Sequence, residues 1–152
     1  MALLSRKQSP SRIYPLLLAI EAAGAITILW HGVPIYRSLL EDTFVQQAHG
    51  SVVGWAIAGI VLIQAPYWLS IFKVFPSLVV PQHIFAGHVV SFLARLNFVF
   101  VSGLFAAVVF ARGPDLEVVP WRALVLAAVL FSMFCFSLEL ERLAKLFLEG
   151  TR

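Results

Sequence analysis

Three polar groups stand where the chain is otherwise apolar: Glu21, Arg95 and Asn97. Arg95 and Asn97 lie near the middle of Pro81–Gly113, a stretch long enough for one helix to cross a bilayer with turns to spare. An arginine at a bilayer centre costs roughly 2.5–3.5 kcal/mol on insertion scales, so its charge calls for a receiver. Glu21 is the expected partner. Counted from Ile13 and from Ile84 at helical rise, Glu21 and Arg95 lie at depths of about 12 and about 16 Å. Such a pair has two readings: a proton or ligand site, or an ion pair that fixes how two helices dock. At about 100° per residue, His88, Ser91, Arg95 and Ser102 share one helical face, expected to point into the bundle. Asn97 is turned away from that stripe, toward a different neighbour.

The histidines are the other candidates for chemistry. His31 and His49 fall at similar heights near one membrane surface, where a bis-histidine haem could take both. His88, deeper than His83, could ligate a tetrapyrrole or bond a carboxylate. The more ordinary role of isolated interfacial histidines is hydrogen bonding, so the expectation is no cofactor, with a haem or chlorophyll-type pigment as the alternative. No metal site is expected. His83 and His88 are five apart and share no face, and the single cysteine, Cys135, sits in an apolar run as a small buried hydrophobe. No Walker loop, HExxH, GxSxG or CxxC occurs, and no catalytic residue is assigned.

Long apolar helices must position these groups. Of the 152 residues, 61% are hydrophobic and only 12% charged, against about 25% charged in soluble domains, so lipid is the expected solvent. The mean hydropathy of +0.91 agrees. The net charge of +3 could point to nucleic acid, but the basic residues flank apolar segments rather than forming a stripe, which excludes that class. The expected fold is an all-α integral membrane bundle of four transmembrane helices over about 13–33, 50–72, 83–112 and 121–138. A basic polar tail, 1–12, precedes them. The first helix is read as a retained signal anchor, ended or kinked by Pro34, with a short interfacial helix over 35–48. In the second, Gly50, Gly54 and Ala58 recur every fourth residue, the spacing of a close helix-packing seam, while Gln64 needs a partner and Pro66 adds a bend. Residues 139–152 are amphipathic and read as an extension of helix 4 along the membrane surface.

With both termini on one side, that side holds Arg6, Lys7, Arg12, Lys73, Arg142, Lys145 and Arg152, and the other Arg37, Arg112 and Arg122. The asymmetry predicts both termini inside, in a bacterial or mitochondrial inner membrane. Arg95-Leu96-Asn97 faintly resembles the Arg/Asn motif of the membrane-associated glutathione and eicosanoid enzymes, but Phe98–Val101 replaces the acid that follows there. Ser9-Pro10 with Tyr14 resembles the entry of complex II cytochrome b subunits, without the His-Arg-x-Thr-Gly that should follow. No family is assigned on either. The function expected is a non-catalytic accessory subunit of a larger membrane complex, held in the bilayer by other subunits or by self-association. The alternatives are a small membrane enzyme for a lipophilic or anionic substrate, and a tetrapyrrole-binding subunit.

Overall fold

A computed structural model of the chain describes residues 10–40, 50–74, 78, 80–112 and 120–150. Four helices carry it: α1 (Pro10–Leu40), α2 (Gly50–Leu69), α3 (Ile84–Arg112) and α4 (Pro120–Glu149). Each contains a segment long and apolar enough to cross a membrane, and no strand occurs among the described residues. The chain is therefore an all-α, multi-pass membrane protein. Two helix ends differ from the sequence expectation. α1 does not stop near Pro34 but runs on to Leu40, because a proline inside a membrane helix forfeits one backbone hydrogen bond that neighbours can offset. The rest of the expected interfacial helix, 41–48, and most of the basic tail lie outside the described residues. α4 passes through Leu138 without a break, since no glycine or proline interrupts 121–149.

The amphipathic end of α4 belongs to the bundle. Glu139, Leu140, Leu143 and Ala144 are buried, while Glu141, Arg142, Lys145 and Glu149 are exposed. Its outer face carries the 3.4 Å Glu141–Lys145 ion pair one turn apart. The helix ends on Gly150, whose φ of 67° suits only a residue without a Cβ, and whose N–H closes on the Leu146 carbonyl at 3.0 Å. Two further carbonyls of the last turn, Phe147 and Leu148, accept from the His83 N–H (2.9 Å) and from Gln82 Nε2 (3.0 Å). His83 in turn caps α3, its Nδ1 accepting the Ala86 N–H at 3.2 Å. Thus the start of α3 and the end of α4 satisfy each other's loose backbone ends.

Glycines set how closely the helices approach. α1 and α2 cross at Gly24 and Gly59, where a Cβ on Gly24 would lie 3.0 Å from the Gly59 carbonyl oxygen. α3 meets α4 at Gly87, where a Cβ would meet Leu148 Cγ at 2.7 Å. The seam expected along Gly50, Gly54 and Ala58 is displaced: Gly54 is exposed with nothing within 4 Å, Ala58 is half-buried, and the close contact falls one residue later. The surroundings of Gly50 lie outside the described side chains. α3 packs chiefly on α4 and scarcely on α1, so it stands at the edge of the bundle. Two apolar clusters fill the interior. Ala25, Ile28, Ile63, Ala94, Met133, Phe136 and Leu140 form one. The other, at the end carrying both termini, brings Leu78 and Val80 of the α2–α3 connection against Tyr14, Leu17 and Leu143.

Candidate functional site

Between α1, α2 and α4 the buried stripes are not wholly apolar. On α1 the inward residues follow a three-four spacing through Tyr14, Leu17, Glu21, Ala25 and Ile28, so two polar side chains enter the interface in helical register. On α4, Ser132, Cys135 and Glu139 do the same. α2 contributes Gln64, Tyr67 and Ser70, the last at the start of a π-turn, Ser70–Val74, that widens the helix. Together they form a polar column through one end of the bundle.

Glu21 and Glu139 are its core, and both are 0% exposed. Each lies on the inward stripe of its helix, and a charge on Glu139 would be felt at Glu21. Glu139 Oε1 lies 2.8 Å from Ser70 Oγ, and Tyr14 interacts with the Glu139 carboxyl. Among the described residues neither oxygen of Glu21 has a hydrogen-bond partner, and nor does Glu139 Oε2. One step deeper, Gln64 Nε2 donates to Ser132 Oγ at 3.1 Å and approaches Cys135 Sγ at 3.7 Å. Beyond Gln64 the column stops on Ile28, Ile63 and Met133, the dry centre of the main core. Among the described residues the polar column therefore occupies the half of the bundle nearer Pro10 and Gly150.

A separate bond ties α3 to α4. Asn97 Nδ2 donates to Ser137 Oγ at 2.7 Å and lies 3.2 Å from the Met133 carbonyl. Asn97 does face another neighbour than Arg95, in register with Gly87, Val90, Ala94 and Val101 at steps of three and four. The stripe expected to point inward is rotated away from this seam. His88, Arg95 and Ser102 are exposed and Ser91 is half-buried. The reason is steric: only the small residues of α3, Gly87 and Ala94, let α4 approach, and they lie a quarter-turn from Arg95.

The structure consequently does not bring Glu21 and Arg95 together. Glu21 is fully buried and Arg95 is exposed, and no acid among the described residues forms an ion pair with Arg95. Matching depths were necessary for that pair but could not reveal which way each helix turns. Glu139 escaped the sequence reading because its charged neighbours Glu141 and Arg142 imitate a helix end. The signal that finds it is its register with Ser132 and Cys135, seven and four residues earlier. His31 is held by two contacts: its Nδ1 donates to the Thr27 carbonyl at 2.9 Å, and its ring stacks on Trp55 with centroids 4.8 Å apart. That leaves Nε2 as its acceptor. His49 lies outside the described residues, and His88 is exposed on α3, on another helix from His31. Among the described residues no group of three or more His, Cys, Asp or Glu could hold a metal ion. No protein-family model, curated protein or solved structure matches the chain.

Proposed function

We propose that the protein is a non-catalytic subunit of a larger membrane complex, docking through the outward face of α3 onto a transmembrane helix of a different chain. The observation that carries this reading is Arg95, exposed near the middle of its span and without an ion-pair partner among the described residues. A lone arginine facing hydrocarbon is costly, whereas one facing a carboxylate of a neighbouring helix is matched. His88, Ser91 and Ser102 extend the same face as a polar stripe, and Phe92, Leu96 and Val99 flank it with apolar surface. A groove of about 170 Å³ between α3 and α4, reaching Ser102 and Ser137, would take a bulky side chain from the partner. A second copy is the poorer occupant. A two-fold contact across this face would set Arg95 against Arg95, and the acids described within the spans at such depth, Glu21 and Glu139, are buried. We place both termini on the cytoplasmic or matrix side, in keeping with the basic residues at that end.

The test is the native mass of the complex extracted in mild detergent, read together with a charge swap. The expected partner is a different membrane chain with an acidic residue in a transmembrane segment. Arg95→Glu should release it, and an arginine in place of the partner's acid should restore it. A homo-oligomer that turns over a lipophilic anion and loses activity with Arg95→Glu would overturn the reading in favour of an enzyme. A Soret or pigment band lost with His31→Ala would overturn it in favour of a carrier.

A further inference from the structure

The buried carboxyls call for an account of their own, independent of how α3 docks. Glu21 and Glu139 are both fully enclosed; among the described residues neither Glu21 oxygen has a hydrogen-bond partner, while the Glu139 carboxyl meets Ser70 and Tyr14. Two ionised carboxylates could not sit so: each would lose its hydration, and each would repel the other in a medium of low dielectric. Their surroundings offer little relief. From α1 the pair is faced by Tyr14, from α2 by Ser70 with Tyr67 nearby, and from α4 by Cys135 and Arg142. Arg142 is the only cation in this set, and its side chain is exposed, one turn nearer the membrane surface. Among the described residues, no titratable group of α3 reaches the pair.

The serines supply an independent clue. Ser132 and Ser137 each donate their one hydroxyl proton to a carbonyl four residues back, and each accepts from an amide of another helix. Ser70 resembles them, with its Oγ 3.0 Å from the carbonyl of Tyr67, three residues back, and 2.8 Å from a carboxyl oxygen, Glu139 Oε1, in place of an amide. A hydroxyl carries one proton. If Ser70 gives it to the carbonyl, as its two counterparts do, the short contact with Glu139 needs a proton from the carboxyl side. Glu139 then takes the part played elsewhere by an amide, that of donor.

We propose that Glu21 and Glu139 form an intramembrane proton-binding pair, carrying protons at neutral pH and exchanging them only with the side that holds both termini. One-sidedness follows from the neighbours of the pair: toward the termini Tyr14 brings a hydroxyl into the smaller apolar cluster, with exposed Arg142 beyond it, whereas past Gln64 the described core residues are the apolar Ile28, Ile63 and Met133. Two carboxyls with a neighbouring hydroxyl suit a proton better than a cation such as Ca²⁺, which takes about 6–8 oxygen ligands.

The test is infrared spectroscopy of the protein in lipid bilayers, following the C=O stretch of protonated carboxyls. The wild type should show this band at neutral pH, shifted in D₂O. Glu21→Gln and Glu139→Gln, which keep the size and neutrality of a protonated acid, should fold normally. Each should lose about half the band and the double variant all of it, while Glu141→Gln on the exposed face should leave it intact. In oriented vesicles, alkaline buffer on the termini side should bleach the band, and on the opposite side should not. A wild-type spectrum with carboxylate bands only would overturn the proposal. So would a band abolished by sodium or calcium at fixed pH, which would make the pair a cation site.

Discussion

Gly24→Ala should destabilise the bundle more than the same added methyl group at Gly87 or Gly54. The new Cβ would lie 2.9 Å from Leu62 Cβ and from Ile63 Cγ1, and 3.0 Å from the Gly59 carbonyl oxygen. Leu62 Cβ and the carbonyl belong to the rigid part of α2, so relief requires the helices to separate. Overpacking of this kind costs about 1–3 kcal/mol. In a bilayer the loss is almost wholly of packing, since lipid tails are as apolar as the side chains they replace. At Gly87 the nearest atoms are in the Leu148 side chain, at 2.7 and 2.8 Å, with the Ala144 carbonyl oxygen further off at 3.2 Å, so Gly87→Ala should cost less. Gly54→Ala, with open space around it, should be neutral. Equilibrium unfolding of the three variants in bilayer mimetics checks the order. A Gly54 variant as damaged as the Gly24 variant would put the α1–α2 seam elsewhere.

Arg95→Leu should act in opposite senses on the isolated chain and on its assembly. Alone, the variant sheds a cost of roughly 2.5–3.5 kcal/mol for an arginine at the bilayer centre, and should insert at least as well as the wild type. In the complex proposed above it would remove one member of a desolvated pair and strand the partner's acid, which costs about 3–5 kcal/mol. At about 1.4 kcal/mol per tenfold, affinity for the partner should fall on the order of 100-fold or more. Membrane yield of the variant, measured beside the dissociation constant of the complex, separates this account from one in which Arg95 supports the fold. In that case both quantities would fall together.

Much of the architecture was legible because its causes are local. Runs such as Val52–Lys73 and Ile84–Gly103 announce membrane helices by length and hydropathy alone. Helix rotation was harder to read, because it depends on which small residues let two backbones approach. On α3 the Gly87–Ala94 line could have been favoured over the His88–Arg95 line, had close packing been weighed above polar satisfaction. Treating every polar group in the membrane as inward-facing presumes that all partners lie within one chain. Glu21 was singled out by its type, but its neighbour across the interface was not. Glu139 lies 118 residues further on, in a segment whose charges resemble a surface helix until its inner face is separated from its outer one.

The separation of the two polar sites is the central claim: Glu21 and Glu139 are enclosed inside the bundle, and Arg95 looks out of it. A double-mutant cycle on the isolated chain tests this most directly, using Glu21→Gln, Arg95→Leu and the pair together, with unfolding free energy in bicelles as the readout. Because the two side chains share no partner, their effects should add to within about 0.3–0.5 kcal/mol. A coupling well beyond that, with the double variant sparing most of the damage of either single change, would mean that Glu21 and Arg95 meet, and would contradict the account.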